Sequence, residues 1–203
     1  MHISIAGNIG AGKTTLTAQL AKYYKWFPLY EVIENNPYLD DFYNDMSKWS
    51  FNLQIYFLGE RFKQLKSIKE QKKNVIQDRT IYEDAFIFAS NLHDMGLLQT
   101  RDFENYLTIY NIMSSFIEPP DLLIYLRCSI AKLVEQIHKR GREFETSINI
   151  EYLNRLNVKY EDWIANYKGK ILIIDIDNLD FVQNKNDLGI IINKIEAEIN
   201  GLF

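Results

Sequence analysis

The sequence is poor in the residues from which disulfides and many metal centres are built. Cys128 is the only cysteine in 203 residues, which excludes an internal disulfide and argues against a thiolate metal cluster. The three histidines, His2, His93 and His138, are scattered without the spacing of metal ligands. We therefore expect neither a disulfide framework nor a metal centre built on cysteine and histidine.

The sequence also lacks long hydrophobic runs and any excess of positive charge. No apolar stretch approaches the roughly 20 residues of a membrane-spanning helix. The net charge of −4 gives no general attraction to nucleic acid or to an anionic membrane. A strand pattern begins at the N-terminus, so no signal peptide is expected before it. We expect no nucleic-acid partner, no membrane partner and a cytoplasmic location.

Short apolar runs alternate with longer segments of mixed polarity along the chain. Each run is rich in Val, Ile or Leu without alternation, which is typical of strands buried on both faces. The runs lie at 3–6, 29–33, 75–77, 122–126 and 171–176, and the helix-length segments at 12–24, 38–72, 83–94, 100–117, 129–140, 149–167 and 186–200. This alternation predicts an α/β fold, with a five-stranded parallel sheet and helices on both faces. Because no linker or repeat interrupts the pattern, we expect a single domain over 1–203.

The residues after the first apolar run carry the most specific motif in the chain. They match G-x-x-x-x-G-K-[ST] between a strand and a helix, and a glycine-rich turn without a ligand would have no use for the lysine and threonine. Glycines let the backbone curl around phosphates, and the helix N-terminus adds positive charge. The lysine can reach the outer phosphates, and the first threonine can hold Mg²⁺. The motif predicts a nucleoside triphosphate site formed by Gly7, Asn8, Ile9, Gly10, Ala11, Gly12, Lys13, Thr14 and Thr15.

Charged residues lie near the ends of two of the other predicted strands, at the edge of a parallel sheet where ligands bind. Asp78 is placed to hold Mg²⁺ and Arg79 to neutralise phosphate charge, although a structural ion pair at a strand end would leave the same pattern. Glu31 could accept the proton of an attacking hydroxyl, and Glu34 is a rival for that role on sequence grounds.

Two further clusters each allow two interpretations. Arg140 and Arg142 flank a glycine after a helical segment, so they could swing over the phosphates or simply form a solvated helix end. Gln54 and Arg61 lie seven residues apart and therefore on one side of a helix. They could read the edge of a flat heterocycle, or form the polar face of a helix that packs on the sheet.

Together with several other segments, these motifs resemble the deoxynucleoside kinases of the deoxycytidine, deoxyguanosine and deoxyadenosine kinase group. The details look most similar to bacterial members, such as those of the Bacteroidetes. The resemblance runs nearly end to end and keeps the spacing of the motifs. It rests on GNIGAGKT at 7–14, the glutamate at 31, NPYL at 36–39, FY at 42–43, WSFNLQ at 49–54, DRTIYED at 78–84, FIFA at 86–89 and RGR at 140–142.

The resemblance implies a P-loop kinase fold with an Arg-rich lid, ATP and Mg²⁺ as cofactors, and a homodimer. It implies transfer of phosphate from ATP to the 5′-hydroxyl of a deoxynucleoside in nucleotide salvage, with Glu31 as general base and Arg79 and Lys13 as its catalytic neighbours. The positions that match the family's substrate-binding residues are Tyr43 and Glu145 for the sugar 3′-hydroxyl, and Gln54, Arg61, Asp84 and Phe88 for the base. Those that match its nucleotide-binding residues are Arg140 and Arg142 in the lid, Asp180 and Phe181 near adenine, and Thr14 and Asp78 at the metal.

The sequence departs from the family in two places. Glu31-Val32-Ile33 stands where the family often has Glu-Pro-Val, so the strand exit could differ. Asp78-Arg79-Thr80 stands where many relatives have Glu-Arg-Ser, which makes the carboxylate one methylene shorter and could place a water between it and the metal.

Three functions remain to be separated. In the family, an Arg and an Asp at the positions of Arg61 and Asp84 accompany purine deoxynucleosides or deoxycytidine, so we expect deoxyadenosine or deoxyguanosine, with deoxycytidine next. A nucleoside monophosphate kinase similar to thymidylate kinase is the nearer alternative, but the Glu31 carboxylate would repel the acceptor phosphate. A non-catalytic nucleotide-binding regulatory subunit is the other, although none of the residues needed for transfer is missing.

Overall fold

A computed structural model describes residues 1–33, 36–71, 73–142 and 148–201, and these form a five-stranded parallel sheet. The strand order is β2-β3-β1-β4-β5. The strands are β1 (His2–Gly7), β2 (Phe27–Leu29), β3 (Val75–Asp78), β4 (Leu122–Arg127) and β5 (Ile171–Asp175). The predicted five-stranded parallel sheet is confirmed. In its register Ile5 lies opposite Asp78 and Gly7 opposite Leu126, so the ends of β1, β3 and β4 meet at one edge.

Helices cover both faces of this sheet, as predicted. They are α1 (Lys13–Tyr24), α2 (Leu39–Asn44), α3 (Met46–Gln71), α4 (Ile81–Glu83), α5 (Ser90–Asp94), α6 (Thr100–Ser114), α7 (Ile130–Arg140), α8 (Ile150–Ala165) and α9 (Lys185–Asn200), with a π-helix (Asp84–Ala89) between α4 and α5. Two of them begin at predictable caps, where Ser129 accepts a hydrogen bond from the Lys132 N–H and Asn149 accepts one from the Tyr152 N–H. Across the described residues, no helix is both long and apolar enough to cross a membrane.

The hydrophobic core has two halves because side chains of a strand alternate between the two faces of the sheet. In β4, Leu123 and Tyr125 point into one half, which α3, α6, α8 and the π-helix complete. Leu122, Ile124 and Leu126 point into the other, against α1, α9 and part of α7. These five side chains are at most 2% exposed, which explains why the strand is apolar up to Arg127 at its end.

The second strand lies earlier in the chain than predicted. It spans Phe27–Leu29 instead of 29–33, because its neighbour β3 pairs with Phe27 through Val75 and ends at Asp78. If β2 continued beyond Leu29, it would soon pass the end of β3 and have no neighbouring strand to pair with. Glu31 therefore lies in a loop two residues beyond β2, still at the edge of the sheet where the strands end.

The long helical segment predicted at 38–72 is two helices. Asp45 takes the non-helical conformation φ −147°, ψ 84° between α2 and α3, and its side chain accepts a hydrogen bond from the Lys48 N–H. The segment predicted at 83–94 begins earlier, at Ile81, because Thr80 and Glu83 form a reciprocal capping box. The π-helix after it widens the turn that carries Asp84 and Phe88.

Candidate active site

The loop between β1 and α1 approaches its neighbours too closely for side chains at two positions. Gly10 has φ 89°, and a Cβ there would lie 2.9 Å from the Leu133 carbonyl oxygen. Gly12 has φ 83°, and a Cβ there would lie 2.8 Å from the Phe181 ring. Since both conformations are also strained for other residues, only glycine fits, as expected of a phosphate-binding loop.

Asn8 joins this loop to helix α8. Its Nδ2 donates to the Leu153 carbonyl oxygen at 3.0 Å and to Asn157 Oδ1 at 3.2 Å. Its own Oδ1 accepts a hydrogen bond from the Ile9 N–H at 2.8 Å. The shape of the loop is thus supported by a helix that lies about 145 residues later in the chain.

Lys13 at the start of α1 is buried with few hydrogen-bond partners. Its Nζ donates to the Asn8 carbonyl oxygen at 3.0 Å, and the residue is 6% exposed. Burial, together with the neighbouring charge of Arg79, lowers the pKa of Lys13 to about 8. A polyanion in the cavity would favour the charged ammonium and raise this pKa again.

Glu31 lies between two buried arginines. Its Oε1 is 2.7 Å from Arg79 Nε in an ion pair without the alignment of a hydrogen bond, and it accepts a hydrogen bond from an Arg61 terminal nitrogen at 3.3 Å. Burial acts to raise the pKa of the Glu31 carboxyl, but the charges of Arg79, Arg61 and Lys13 outweigh it and lower the pKa. The carboxylate is therefore ionised at neutral pH and able to accept a proton.

Arg79 is held in an unusual backbone conformation directly after β3. Its φ of 69° is left-handed, which costs roughly 1–2 kcal/mol for a residue with a Cβ. Its backbone N–H donates to the Ile5 carbonyl oxygen at 2.9 Å, so Arg79 is still hydrogen-bonded to β1 although it lies beyond the end of β3. The guanidinium lies 4.4 Å from the Phe88 ring centre, over the face of the ring.

Asp78 and Thr14 form a pair of oxygen ligands beside the loop. The Thr14 hydroxyl donates to Asp78 Oδ2 at 2.5 Å, whereas Asp78 Oδ1 is buried without a partner among the described residues. Burial raises the pKa of Asp78, which is 1% exposed. Mg²⁺ prefers carboxylate and hydroxyl oxygens, and the free oxygen of a buried carboxylate fits such an ion.

A second ion pair, between Arg61 and Asp84, lies at the predicted binding site of the base. Arg61 Nε donates to Asp84 Oδ2 at 3.2 Å, and an Arg61 terminal nitrogen donates to the Asp78 carbonyl oxygen at 2.9 Å. Burial raises the pKa of Asp84 while the Arg61 charge opposes this. Gln54, which lines the same cavity as Asp84, has its Oε1 buried without a partner among the described residues. An amide and a carboxylate are therefore available to a polar group that enters the cavity.

A cavity of about 360 Å³ connects these groups. It is lined by most of the predicted site residues, namely Ile9, Gly10, Gly12, Lys13, Thr14, Thr15, Glu31, Tyr43, Gln54, Arg79, Asp84, Phe88, Arg140, Arg142 and Asp180. The predicted residues that do not line it are Gly7, Asn8, Ala11, Arg61, Asp78 and Phe181, all of which are buried. The predicted residue Glu145 lies outside the described residues.

The cavity wall also contains residues that sequence reasoning missed. Phe57 on α3 and Tyr152 on α8 line it, as do Gln136 and Lys139 on α7. Lys139 could have been identified from the basic run that ends α7, since it directly precedes Arg140. Tyr152 has no comparable signal in the sequence, because a tyrosine on an amphipathic helix is usually a core residue.

Comparison with known proteins gives consistent matches over the whole described fold. The family profile described as deoxynucleoside kinase matches residues 3–200. The chain is 37% identical to a deoxyadenosine/deoxycytidine kinase of Bacillus subtilis over 201 residues, covering 98% of this chain and 93% of the relative. It is 41% identical to a deoxyadenosine kinase of Dictyostelium discoideum over 181 residues, covering 89% and 74%. A solved structure of deoxyadenosine kinase from M. mycoides with bound dATP superimposes with a TM-score of 0.85 at 36% identity, covering 97% of this chain and 99% of that one.

Proposed function

Because the chain belongs to the deoxynucleoside kinase family, we propose that it transfers the γ-phosphoryl group of ATP to the 5′-hydroxyl of a deoxynucleoside. The observation that carries this proposal is that Glu31 and Lys13 line the same cavity. A proton acceptor and a phosphate-binding cation are thus placed around one space, which is what transfer to a neutral alcohol requires. One solved M. mycoides relative contains dATP and another contains the products dCMP and dCDP, which supports nucleotide binding by this chain.

We assign the chemical steps to the chain's own residues as follows. Glu31 accepts the proton of the 5′-hydroxyl as this oxygen attacks phosphorus, and Arg79 orients Glu31 and neutralises charge on the transferred group. Lys13 and the loop bind the outer phosphates. Arg140 and Arg142 close over the phosphates as a lid, and Asp180 and Phe181 lie near the adenine.

Thr14 and Asp78 are the residues that would hold Mg²⁺. Their fit rests on Asp78 Oδ1, which is buried without a partner in the described part of the chain, on the same carboxylate that binds the Thr14 hydroxyl. When bound, the ion would neutralise phosphate charge and orient the nucleotide.

For the acceptor nucleoside we propose a purine base. Gln54 and Asp84 would bond its edge, Phe88 would stack on its face, and Tyr43 with Glu145 would hold the sugar 3′-hydroxyl. Support comes from Gln54, Asp84 and Phe88, all three of which line the cavity. The relatives are named as deoxyadenosine, deoxyguanosine and deoxyadenosine/deoxycytidine kinases.

The decisive assay measures phosphate transfer from ATP to the four deoxynucleosides and to deoxyadenosine monophosphate, side by side. We expect deoxyadenosine or deoxyguanosine to react fastest, deoxycytidine next and thymidine slowest, and the monophosphate not to react, because a second anion beside Glu31 is repelled. Phosphorylation of the monophosphate would instead identify a nucleoside monophosphate kinase. Tight ATP binding without transfer to any acceptor would identify a regulatory subunit.

We also propose that the protein is a homodimer and resides in the cytoplasm. Ile112 on α6 is 58% exposed and Phe116 just after this helix is 63% exposed, an apolar surface that a second copy would cover. Light scattering tests this directly, since a dimer has twice the 24.0 kDa mass of the chain. The absence of nucleic-acid and membrane partners remains a prediction from the net charge.

ATP binding is expected to weaken about tenfold between pH 7 and pH 9. With a pKa of about 8, Lys13 is mostly charged at pH 7 and mostly neutral at pH 9, and only the charged form attracts the phosphates. Isothermal titration with a non-hydrolysable ATP analogue measures this dependence. The variant Lys13→Met is the control, since its weaker affinity should change little over the same range. Equal affinity of the unchanged protein at both pH values would contradict the lowered pKa.

A further inference from the structure

Glu83 is a fully buried carboxylate beside Arg79 for which the proposed chemistry has no use. Its Oε2 accepts hydrogen bonds from the Thr80 N–H at 2.7 Å and from the Thr80 hydroxyl at 3.0 Å, which completes the cap of α4. A glutamate could cap this helix equally well if its side chain were exposed or half-buried. Glu83 is instead 0% exposed, and its other oxygen is directed toward the site.

Glu83 Oε1 connects three parts of the chain. It accepts a hydrogen bond from the Gly7 N–H at 3.3 Å, where β1 passes into the phosphate loop. It also accepts one from the Tyr160 hydroxyl on α8 at 2.8 Å, and it lies 3.7 Å from an Arg79 terminal nitrogen. Burial raises the pKa of the Glu83 carboxyl, while the Arg79 charge and the hydrogen-bond donors around it act in the opposite direction.

The Tyr160 hydroxyl links Glu83 to Arg79 by two hydrogen bonds. Because its hydroxyl proton points to Glu83, its lone pairs are free to accept, and Arg79 donates to this oxygen at 3.0 Å. The Tyr160 ring is 0% exposed and stacks on Tyr125 at a ring-centre distance of 5.8 Å. The hydroxyl is therefore a rigid acceptor in a fixed direction.

The Arg79 guanidinium is thus held at both ends. Its Nε faces Glu31 at 2.7 Å, and its opposite side bonds Tyr160. The left-handed backbone of Arg79 is strained, and it persists because contacts around the residue hold it. We propose that Glu83 and Tyr160 are positioning residues that fix Arg79 against Glu31, with Glu83 also holding the start of the phosphate loop. This inference rests on the proposed kinase function.

The variant Tyr160→Phe tests the proposal with the full-length protein. We expect it to lower kcat about tenfold and to change KM for ATP and nucleoside less than about twofold, because a misplaced group in the site affects the transfer step. Tyr125→Phe is the matched control. It removes a hydroxyl from the same ring stack, but one that donates to Glu161 at 3.0 Å, and it should leave kcat unchanged. A folded Glu83→Gln variant should show the same fall in kcat as Tyr160→Phe.

A double-variant comparison separates positioning from general support of the fold. In an Arg79→Lys background, Tyr160→Phe should have almost no further effect on kcat, because the guanidinium it positions is gone. An equal loss of kcat in both backgrounds, an equal loss in Tyr125→Phe, or a rise in KM in place of the kcat loss would each overturn the proposal.

The environment of Arg79 can also be measured without enzyme turnover. This separates the test of the positioning role from the test of the kinase function. The Arg79 Nε–H resonance, assigned by its loss in Arg79→Lys, should shift in Tyr160→Phe and stay in place in Tyr125→Phe. An unshifted resonance would overturn the positioning role even in an active enzyme. A shifted resonance in a protein that transfers no phosphate would support the arrangement and reject the kinase function.

Discussion

Replacing Glu31 with glutamine is expected to lower turnover by about 100-fold or more while leaving nucleoside binding nearly unchanged. The amide keeps the size of the side chain and can still accept a hydrogen bond, but it cannot take the proton of the 5′-hydroxyl. In the protein the carboxylate is ionised because Arg79 and Arg61 lower its pKa despite its burial. Steady-state kinetics with the preferred deoxynucleoside, together with direct measurement of its affinity, tests the prediction.

Glu34→Gln is the natural control for this experiment. Glu34 competes with Glu31 for the same role in the sequence, and it lies outside the described residues. We expect its substitution to leave turnover within about twofold of the unchanged protein, because the proposed chemistry assigns no step to Glu34. Normal turnover in Glu31→Gln, or the large loss in Glu34→Gln instead, would remove Glu31 from the reaction.

Replacing Arg61 with methionine is expected to lower the free energy of unfolding by about 3–5 kcal/mol, the scale for breaking a buried ion pair from one side. Arg61 is 3% exposed and bonds Asp84, Glu31 and a backbone carbonyl oxygen. Without it, Asp84 remains as a buried carboxylate that has lost its ion-pair partner. Urea unfolding of the variant beside the unchanged protein gives the difference.

The pH dependence of this loss identifies its cause. An unpaired buried Asp84 has a pKa above its value in the unfolded chain, so it binds its proton more tightly when folded. Stability then falls as the pH rises from the unfolded pKa through the folded one, and the deficit of Arg61→Met should be larger at pH 7 than at pH 5. Adding Asp84→Asn should restore part of the stability at pH 7.

An exposed ion pair provides the comparison. Arg101 lies 3.3 Å from Asp102, but its side chain is 83% exposed. Solvent screens such a pair, so Arg101→Met should change the free energy of unfolding by less than about 0.5 kcal/mol. A loss as large as that of Arg61→Met would show that burial is not the reason for the effect.

The sequence was most informative where a single segment contains the whole signal. The loop around Lys13 and the strands β1, β3 and β4 could be predicted because their motif and their apolar runs are local. The position of β2 could not, since it is decided by where β3 ends, about 50 residues later. The break at Asp45 was missed because the residues on both sides of it favour helix.

In the active site, too, the sequence indicated single residues but not their contacts with residues far away in the chain. Sequence reasoning identified Glu31, Arg79 and Asp84 as candidates, but not that one arginine bridges Glu31 and Asp84 while another bridges Glu31 and Tyr160. These partners come from different elements and meet only in the folded chain. The capping pair of Thr80 and Glu83 could have been read locally, whereas the second task of Glu83 depends on Tyr160, 77 residues away.

The short strand β2 determines how this sheet can and cannot be extended. The Phe27 N–H donates inward to the Asn74 carbonyl oxygen, so by alternation Pro28 is the residue of the strand whose backbone faces the open side. Proline has no N–H, so this rim offers an incoming strand no amide hydrogen to bind. Edge-to-edge growth into fibrils is therefore blocked at β2, and any self-association on that flank has to proceed through side chains.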